Sequence, residues 1–401
     1  LENEFVDAGS LRALEECGYA LLPTAASIAL VQDKLVQKET LARAGLPVPR
    51  FLSVAGVADV EPYLELLREE LGIGDDLRCP QWDAAALAPD RTFRVAGLGA
   101  GMSGIAAAYR LRQAGVDVVV LEKNGDVGGT WFENTYPGCR VDVSNLFYSY
   151  SFAQRDDWPE HYSSQQVLLD YFRGVVDDKG LRDLVQFDTE VTSMAFDDET
   201  ATWRLEVVRG DGREEAIAAN AVVSAVGQLN RPSFPDIPGA DAFAGPSFHS
   251  ARWDHSVDLA GRRVAVIGTG ASAGQFIPAI AEEVGHLTVF QRTPGWFIPS
   301  PNYTDPIGPE LLWLRRNVPG YTHWSRFWTF WRNVEGMMPL ATVDPDWDGG
   351  ERSVSAANDF MREMLTGYLQ AEFADRPDLL EKVVPQYPPF SKRFILDNGA
   401  W

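Results

Sequence analysis

Cysteine, long apolar runs and positive charge are what this 401-residue chain has little of. Its three cysteines, Cys17, Cys79 and Cys139, are odd in number, widely separated and without metal-ligand spacing. Neither a disulfide framework nor a zinc site is indicated, and no metal is expected. A reducing cytoplasm is the simplest home for such a chain. No apolar stretch approaches the roughly 20 residues that a membrane-spanning helix needs, and the residues from Leu1 onward show no signal-peptide pattern. Basic residues number 35 against 57 acidic ones, a net charge of -22. That field repels nucleic-acid phosphates and anionic headgroups, so neither nucleic acid nor a membrane surface is expected as a partner. An initiator Met is lacking too, which leads one to expect a fragment.

The composition, 45% hydrophobic and 23% charged, is that of a globular chain able to bury a large core. Its length exceeds the roughly 250 residues that one core serves, so two or three domains are expected. From about residue 92 strand-like runs alternate with helical stretches, the signature of an α/β fold with parallel sheet. One β-α-β unit runs from a strand at 93–98 through a helix ending near Ala114 to a strand at 118–121; another spans 263–291. Between them lie a Trp- and Tyr-rich stretch (131–172), a β-rich stretch (185–227) and a Pro- and Gly-rich connector that reads as a linker. The expected division is an N-terminal appendage (1–91), a first nucleotide domain (92–230), the linker (231–261) and a second nucleotide domain (262–401). The segment from about 60 to 91, with residues 63–67 at helical spacing, is expected as a helix packed on the first domain. After Pro294 the pattern weakens into proline-punctuated loops, and the aromatic stretch 324–331 is expected to fill core and lid.

Both β-α-β units carry a glycine-rich turn between strand and helix. The first reads Gly99, Ala100, Gly101, Met102, Ser103, Gly104, and Glu122 closes the following strand about 20 residues on. The glycines allow a tight turn and close backbone approach, the helix N-terminus attracts a pyrophosphate, and the acid can accept from a ribose diol. The second reads Gly268, Thr269, Gly270, Ala271, Ser272, Ala273, followed by Gly274 and Gln275, and its closing strand leads into Arg292 and Thr293. An acid repels a 2′-phosphate where a guanidinium binds it. The first turn is therefore assigned to FAD and the second to NADPH, giving two Rossmann-like domains that pass electrons between bound cofactors. A disulfide reductase would fit this much equally well, but the chain has no redox-active cysteine pair.

Two longer motifs narrow the choice. Phe243, Gly245, His249, Trp253 and Asp254 stand in the register F-x-G-x-x-x-H-x-x-x-W-D, and residues 128–142 read GGTWFENTYPGCRVD. In both, the chain resembles the class B, Baeyer-Villiger flavoprotein monooxygenases. The phrase 388–393, PPFSKR, is similar to the 4-hydroxyacetophenone monooxygenase group in particular. The resemblance implies FAD, NADPH and O2 acting on a ketone, aryl or cyclic, to give an ester or lactone by way of a flavin C4a-peroxide, with sulfoxidation as a side activity. It further implies that Arg393 stabilises the peroxide and that Asp142 holds Arg393. Lys392 would join Arg292 and Thr293 at the 2′-phosphate, residues 269–275 would line the pyrophosphate, and Arg140, Val141 and Asp142 would approach the nicotinamide. Gly129, Thr130, Trp131, Tyr148 and Gln228 would contact flavin. On residue type alone, Arg393 before Phe394, Ile395 and Leu396 reads as a surface charge opening a strand. His249 is expected to pack the linker and Cys139 to be a small buried filler.

Family members continue past the position of Trp401, so the FAD domain is expected to be incomplete at its C-terminus. The competing expectations are an N- or S-oxidising flavin monooxygenase and an inactive fragment. Residues 1–54, through stretches 29–34, 37–38 and 45–51, resemble the ATP-grasp subunit of phosphoribosylaminoimidazole carboxylase, but the ATP-binding loop of that subunit does not follow.

Overall fold

The computed structural model describes residue 76 and residues 78–300, 302–333 and 336–397. The stretch resembling the ATP-grasp subunit and residues 63–67 lie outside the described residues. The last part of the appendage is inside them, and in this described part of 60–91 the expected long helix is replaced by irregular chain and one short helix, Ala84–Leu87. Asp76 receives Arg110 through two hydrogen bonds of 2.5 and 3.2 Å, and the Ala84 N–H donates to Ala114 at 2.8 Å.

Strand β1 (Arg94–Leu98) is buried from Val95 to Leu98, as an interior strand of a parallel sheet must be. A tight turn leads into helix α1 (Met102–Gln113), which returns the chain to β2 (Asp117–Leu121), parallel to β1. Gly104 stands where α1 crosses β1: a Cβ there would lie 1.9 Å from the Gly99 carbonyl oxygen, so helix and strand can meet only at glycine. Helix α2 (Gln165–Asp178) turns Leu168, Leu169, Phe172, Val175 and Val176 inward at helical spacing. Each such side chain contributes about 1.5–3 kcal/mol by leaving water. Strand β3 (Val185–Gln186) follows, then an antiparallel meander of β4 (Thr189–Asp197), β5 (Thr202–Arg209) and β6 (Glu214–Ala219). Strand β7 (Ala221–Ser224) completes a parallel sheet of order β3-β2-β1-β7.

The connector 231–261 is largely exposed and irregular. Within it His249 accepts the Ala251 N–H at 3.1 Å, and Trp253 packs on Phe276 with ring centroids 5.3 Å apart. Beyond it β8 (Arg263–Ile267), α3 (Ala271–Ala281) and β9 (His286–Phe290) form a second β-α-β unit with a two-stranded parallel sheet, on which Ile267 and Phe290 are exposed. A further parallel pair joins β10 (Phe297–Pro299) to β11 (Ile395–Asp397).

Between β10 and β11 the structure corrects the sequence reading. The expected proline-punctuated loops are largely helix: α4 (Pro309–Asn317), α5 (Tyr321–Asn333), α6 (Ala356–Glu372) and a shorter helix, Pro377–Val383. Pro309 and Pro377 each open a helix, where the missing N–H costs nothing, instead of breaking one. Nor do the aromatics of 324–331 simply fill core. Trp324 and Trp328 are each 51% exposed, and the residues that α5 buries are Thr322 and Arg326. The Arg326 guanidinium is spent on the carbonyls of Leu146, Phe147 and Ser149.

One buried apolar cluster runs through both β-α-β units, joining Ile105, Val120, Trp131, Tyr136, Cys139 and Val141 to Phe276, Ile277 and Ile280. A smaller one, with Leu98, Leu121, Leu205 and Val207, lies between the first sheet and the meander. Because Gly104 is in contact with backbone, Gly104→Val should lower stability by about 3 kcal/mol or more. Ala273→Gly, at the equivalent place in the second unit, should cost only about 1 kcal/mol. Denaturant unfolding of both variants checks the contrast; equal losses would remove the special role of Gly104.

Candidate functional site

At the first turn two stretches of backbone meet edge to edge. A Cβ on Gly129, which has φ of +53°, would sit 2.9 Å from the Cα of Gly101, and the Gly128 N–H donates to Ala100 at 3.0 Å. The Glu122 carboxylate lies beneath the turn, 4% exposed. It accepts the Ala100 N–H at 2.6 Å, the Asn124 N–H at 2.9 Å and the Asn124 side-chain amide at 2.8 Å. The acid expected at a ribose diol thus braces the turn, with lone pairs to spare for further donors. Gly99, Met102 and Ser103 sit on the same turn and the first turn of α1. Trp131 is buried and donates its indole N–H to the Tyr148 hydroxyl at 3.2 Å, with the rings edge to face at 5.7 Å. Thr130 is exposed at the start of the short helix Thr130–Glu133. Gln228 lies exposed in the loop after β7, and among the described residues no hydrogen bond joins its side chain to the others.

At the second turn a cavity of about 480 Å³ opens over the N-terminus of α3, lined by Gly268, Thr269, Gly270 and Ala271 together with Arg292, Thr293, Lys392 and Arg393. The backbone of Gly268 and Gly270 faces open space. Unfilled space, glycine backbone, a helix N-terminus and three cationic side chains are what the pyrophosphate and phosphate of a dinucleotide require. The Lys392 ammonium also lies over the Tyr387 ring, 4.6 Å from its centroid. Tyr387 lines the same cavity and went unnoticed in the sequence, although it stands beside the phrase that holds Lys392 and Arg393.

The remaining residues of the second turn face elsewhere. Gly274 packs against Ile395 of β11, and Ala273 is buried. Gln275, expected at the pyrophosphate, is committed to the other unit. Its Oε1 accepts from the Tyr136 hydroxyl at 2.9 Å and the Arg140 N–H at 3.3 Å. Its Nε2 donates to the Arg140 carbonyl at 2.9 Å and the Tyr303 hydroxyl at 2.7 Å. Burial pushes the Tyr136 hydroxyl far above its ordinary pKa and that of Tyr303 up to about 12, so both phenols stay protonated. The Arg140 guanidinium is taken by the carbonyls of Tyr303 at 2.8 Å and Tyr162 at 3.3 Å. Val141 is buried. Cys139, also buried, has its thiol pushed up to about 11 by desolvation, consistent with an inert filler.

Asp142 and Arg393 meet. Both Nε, at 3.1 Å, and Nη2 of Arg393 donate to Asp142 Oδ2. The aspartate side chain is 18% exposed and the arginine 60%, so a fixed carboxylate tethers a guanidinium that still faces solvent. The strand-opening position read from residue type alone is also real, since β11 starts two residues later.

The fold and its two glycine turns define an α/β protein of the dinucleotide-binding class. The profile of the flavin-binding monooxygenase-like family matches residues 92–305. The chain belongs to that family. A Baeyer-Villiger monooxygenase of Streptomyces coelicolor is 43% identical over 306 residues, which are 76% of this chain and 55% of that protein. A 2-oxo-Δ3-4,5,5-trimethylcyclopentenylacetyl-CoA monooxygenase of Pseudomonas putida is 39% identical over 339 residues, 76% of this chain and 61% of that protein. Among solved structures, cyclohexanone monooxygenase from Rhodococcus bound to NADP+ is 32% identical with a TM-score of 0.62, over 77% of this chain and 62% of that one. The chain spans about half the length of the curated relatives it matches.

The Gln275 clasp gives a direct expectation. Gln275→Leu keeps the volume but leaves the Arg140 N–H and carbonyl without partners, and should destabilise the chain by about 1–3 kcal/mol. Hydrogen exchange should show the Arg140 amide opening faster than in the wild type; unchanged protection would mean the clasp holds nothing.

Proposed function

We propose that this protein is an FAD- and NADPH-dependent monooxygenase that inserts one oxygen atom of O2 into a ketone, aryl or cyclic, giving an ester or lactone. Residues 92–230 would hold FAD at the first turn and residues 262–401 NADPH at the second, with 231–261 as the connection. When bound, the nicotinamide supplies hydride to the flavin and the reduced flavin activates O2. The protein's part is to bind, orient and stabilise charge. Arg292 and Lys392 would take the 2′-phosphate, for which the shared cavity supplies space and charge. Glu122, by holding the Ala100 N–H, would brace the turn that brings the N-terminus of α1 to a pyrophosphate.

The observation that carries the ketone reading is the Arg393–Asp142 pair. Arg393 lines the second-turn cavity, while Asp142 belongs to the segment clasped to α3, so the cation stands at the junction of the two units. A cation pre-aimed at that junction can stabilise negative charge developing on the transferred oxygen and on the ketone it enters, without reorganising as it does so. Oxidation of an amine or sulfide places less negative charge on the acceptor and has less need of such a cation.

The test supplies the purified chain with FAD, NADPH and either 4-hydroxyacetophenone or cyclohexanone, following ester or lactone and hydrogen peroxide together. Ester formation should fall by about 10²–10³-fold in Arg393→Ala while NADPH oxidation continues and its reducing equivalents appear as peroxide. Asp142→Asn should lose part of the same coupling. Fully coupled ester formation in Arg393→Ala sinks the assignment, and turnover of sulfides or amines but of neither ketone favours the N- or S-oxidising reading. For cofactor choice, Arg292→Ala should raise KM for NADPH by roughly 10–100-fold and leave that for NADH nearly unchanged; an equal effect on both would place Arg292 away from the 2′-phosphate.

A further inference from the structure

A second cavity, about 490 Å³, opens where the loop 154–157 meets the joint between α4 and α5. It shares no lining residue with the cavity at the second glycine turn. Its buried wall includes Arg315, 7% exposed, whose Nε and Nη1 are sealed from solvent with no hydrogen-bond partner. Burial holds this guanidinium below its ordinary pKa, and after burial its field is the next cause that holds His161 down. A buried guanidinium without a partner is strongly unfavourable, and the usual remedy is a hydrogen-bonded anion.

Two further features of the wall agree. Arg316 also lines it. Helix α5 begins at Tyr321 in the same wall, and the first-turn N–H groups of Thr322 and His323 have no backbone acceptor among the described residues. A helix start adds partial positive charge and free donors. Two carboxylates, Asp156 and Asp157, line the cavity as well; Asp157 is paired with Arg155 at 2.5 Å, and among the described residues no hydrogen bond joins Asp156 to Arg315, whose Nε and Nη1 stay without an acceptor.

We propose that this cavity is a binding site for a small oxyanion, a phosphate or carboxylate group, with Arg315 as its buried donor. The site is separate from both dinucleotide turns and does not depend on the monooxygenase reading. It is tested on the full chain in Tris chloride at fixed ionic strength, with inorganic phosphate or malonate replacing chloride, by calorimetric titration and thermal unfolding. Either anion should bind saturably and raise Tm, and the stronger of the two identifies the ligand class. Arg315→Met should lose this binding by roughly tenfold or more, and its Tm in chloride alone should be no lower than that of the wild type, because the substitution removes an unpaired charge. Arg316→Gln, at an exposed position, should weaken binding by a smaller factor without changing Tm in chloride. Phosphate can also enter the cavity of Arg292 and Lys392, so Arg292→Ala is the control and should keep the Arg315-dependent binding. Equal anion effects in wild type and Arg315→Met, or a lower Tm for Arg315→Met in chloride, overturn the proposal.

Discussion

The Gln275 carboxamide is held on all sides, by the hydroxyls of Tyr136 and Tyr303 and by both backbone groups of Arg140. Each bond is modest, but they close together in a half-buried place where water replaces none of them without opening the seam. The apolar side of the seam is continuous with them: Tyr136 meets Phe276 edge to face at 6.2 Å, within the cluster that spans both β-α-β units. The segment that carries Asp142 is therefore registered on α3, the helix whose N-terminus opens the cavity at the second glycine turn. Had Gln275 faced the pyrophosphate, the segment before Asp142 would lose its polar link to α3.

Charge is distributed with the same economy. A chain of net charge -22 repels the anionic cofactors expected of it at long range. Local concentration reverses this: Arg292, Lys392 and Arg393 surround one cavity, and the acid near them, Asp142, is already bound to Arg393. Lys392, over the face of Tyr387, keeps its charge directed by a ring in place of a competing carboxylate. At the first turn Glu122 answers one of the turn's own N–H groups, that of Ala100.

What could be read in the sequence was whatever local sterics or charge dictate. The glycine turns, the strand before each and the helix after each follow from backbone geometry that few other residues permit, and the cationic character of Arg292 and Lys392 is visible wherever they fall. The pairing of Asp142 with Arg393 was legible only through motif register, because 251 residues separate them and no local pattern joins them. Gln275 was misplaced for a related reason: its position on the helix that follows the turn suggested the phosphate side, but a side chain in the second turn of α3 points to whatever packs there. Residues 309–383 were misread because proline was taken as a breaker, when its position relative to the helix start decides its effect. The exposure of Trp324 and Trp328 could not be told from composition, since Arg326 on the same helix takes the buried face by supplying donors to three carbonyls.

That arginine shows how an irregular segment can be rigid. Residues 142–150 are largely without regular structure, and their backbone groups would otherwise be unsatisfied where they run beneath the surface. Arg326 takes three of the carbonyls from one side. From the other, Asn145 donates to the Glu160 carbonyl and to Ser163 Oγ, each at 2.7 Å, and accepts the Ser163 N–H at 3.0 Å. Below them the Tyr171 hydroxyl receives the Tyr150 N–H at 2.9 Å. The loop that begins at Asp142 and passes Tyr148 is thereby held by side chains on α2, which packs into the large apolar cluster, and on α5. A carboxylate at the end of so fixed a loop has lost its freedom during folding, so holding Arg393 in place demands ordering of the arginine alone.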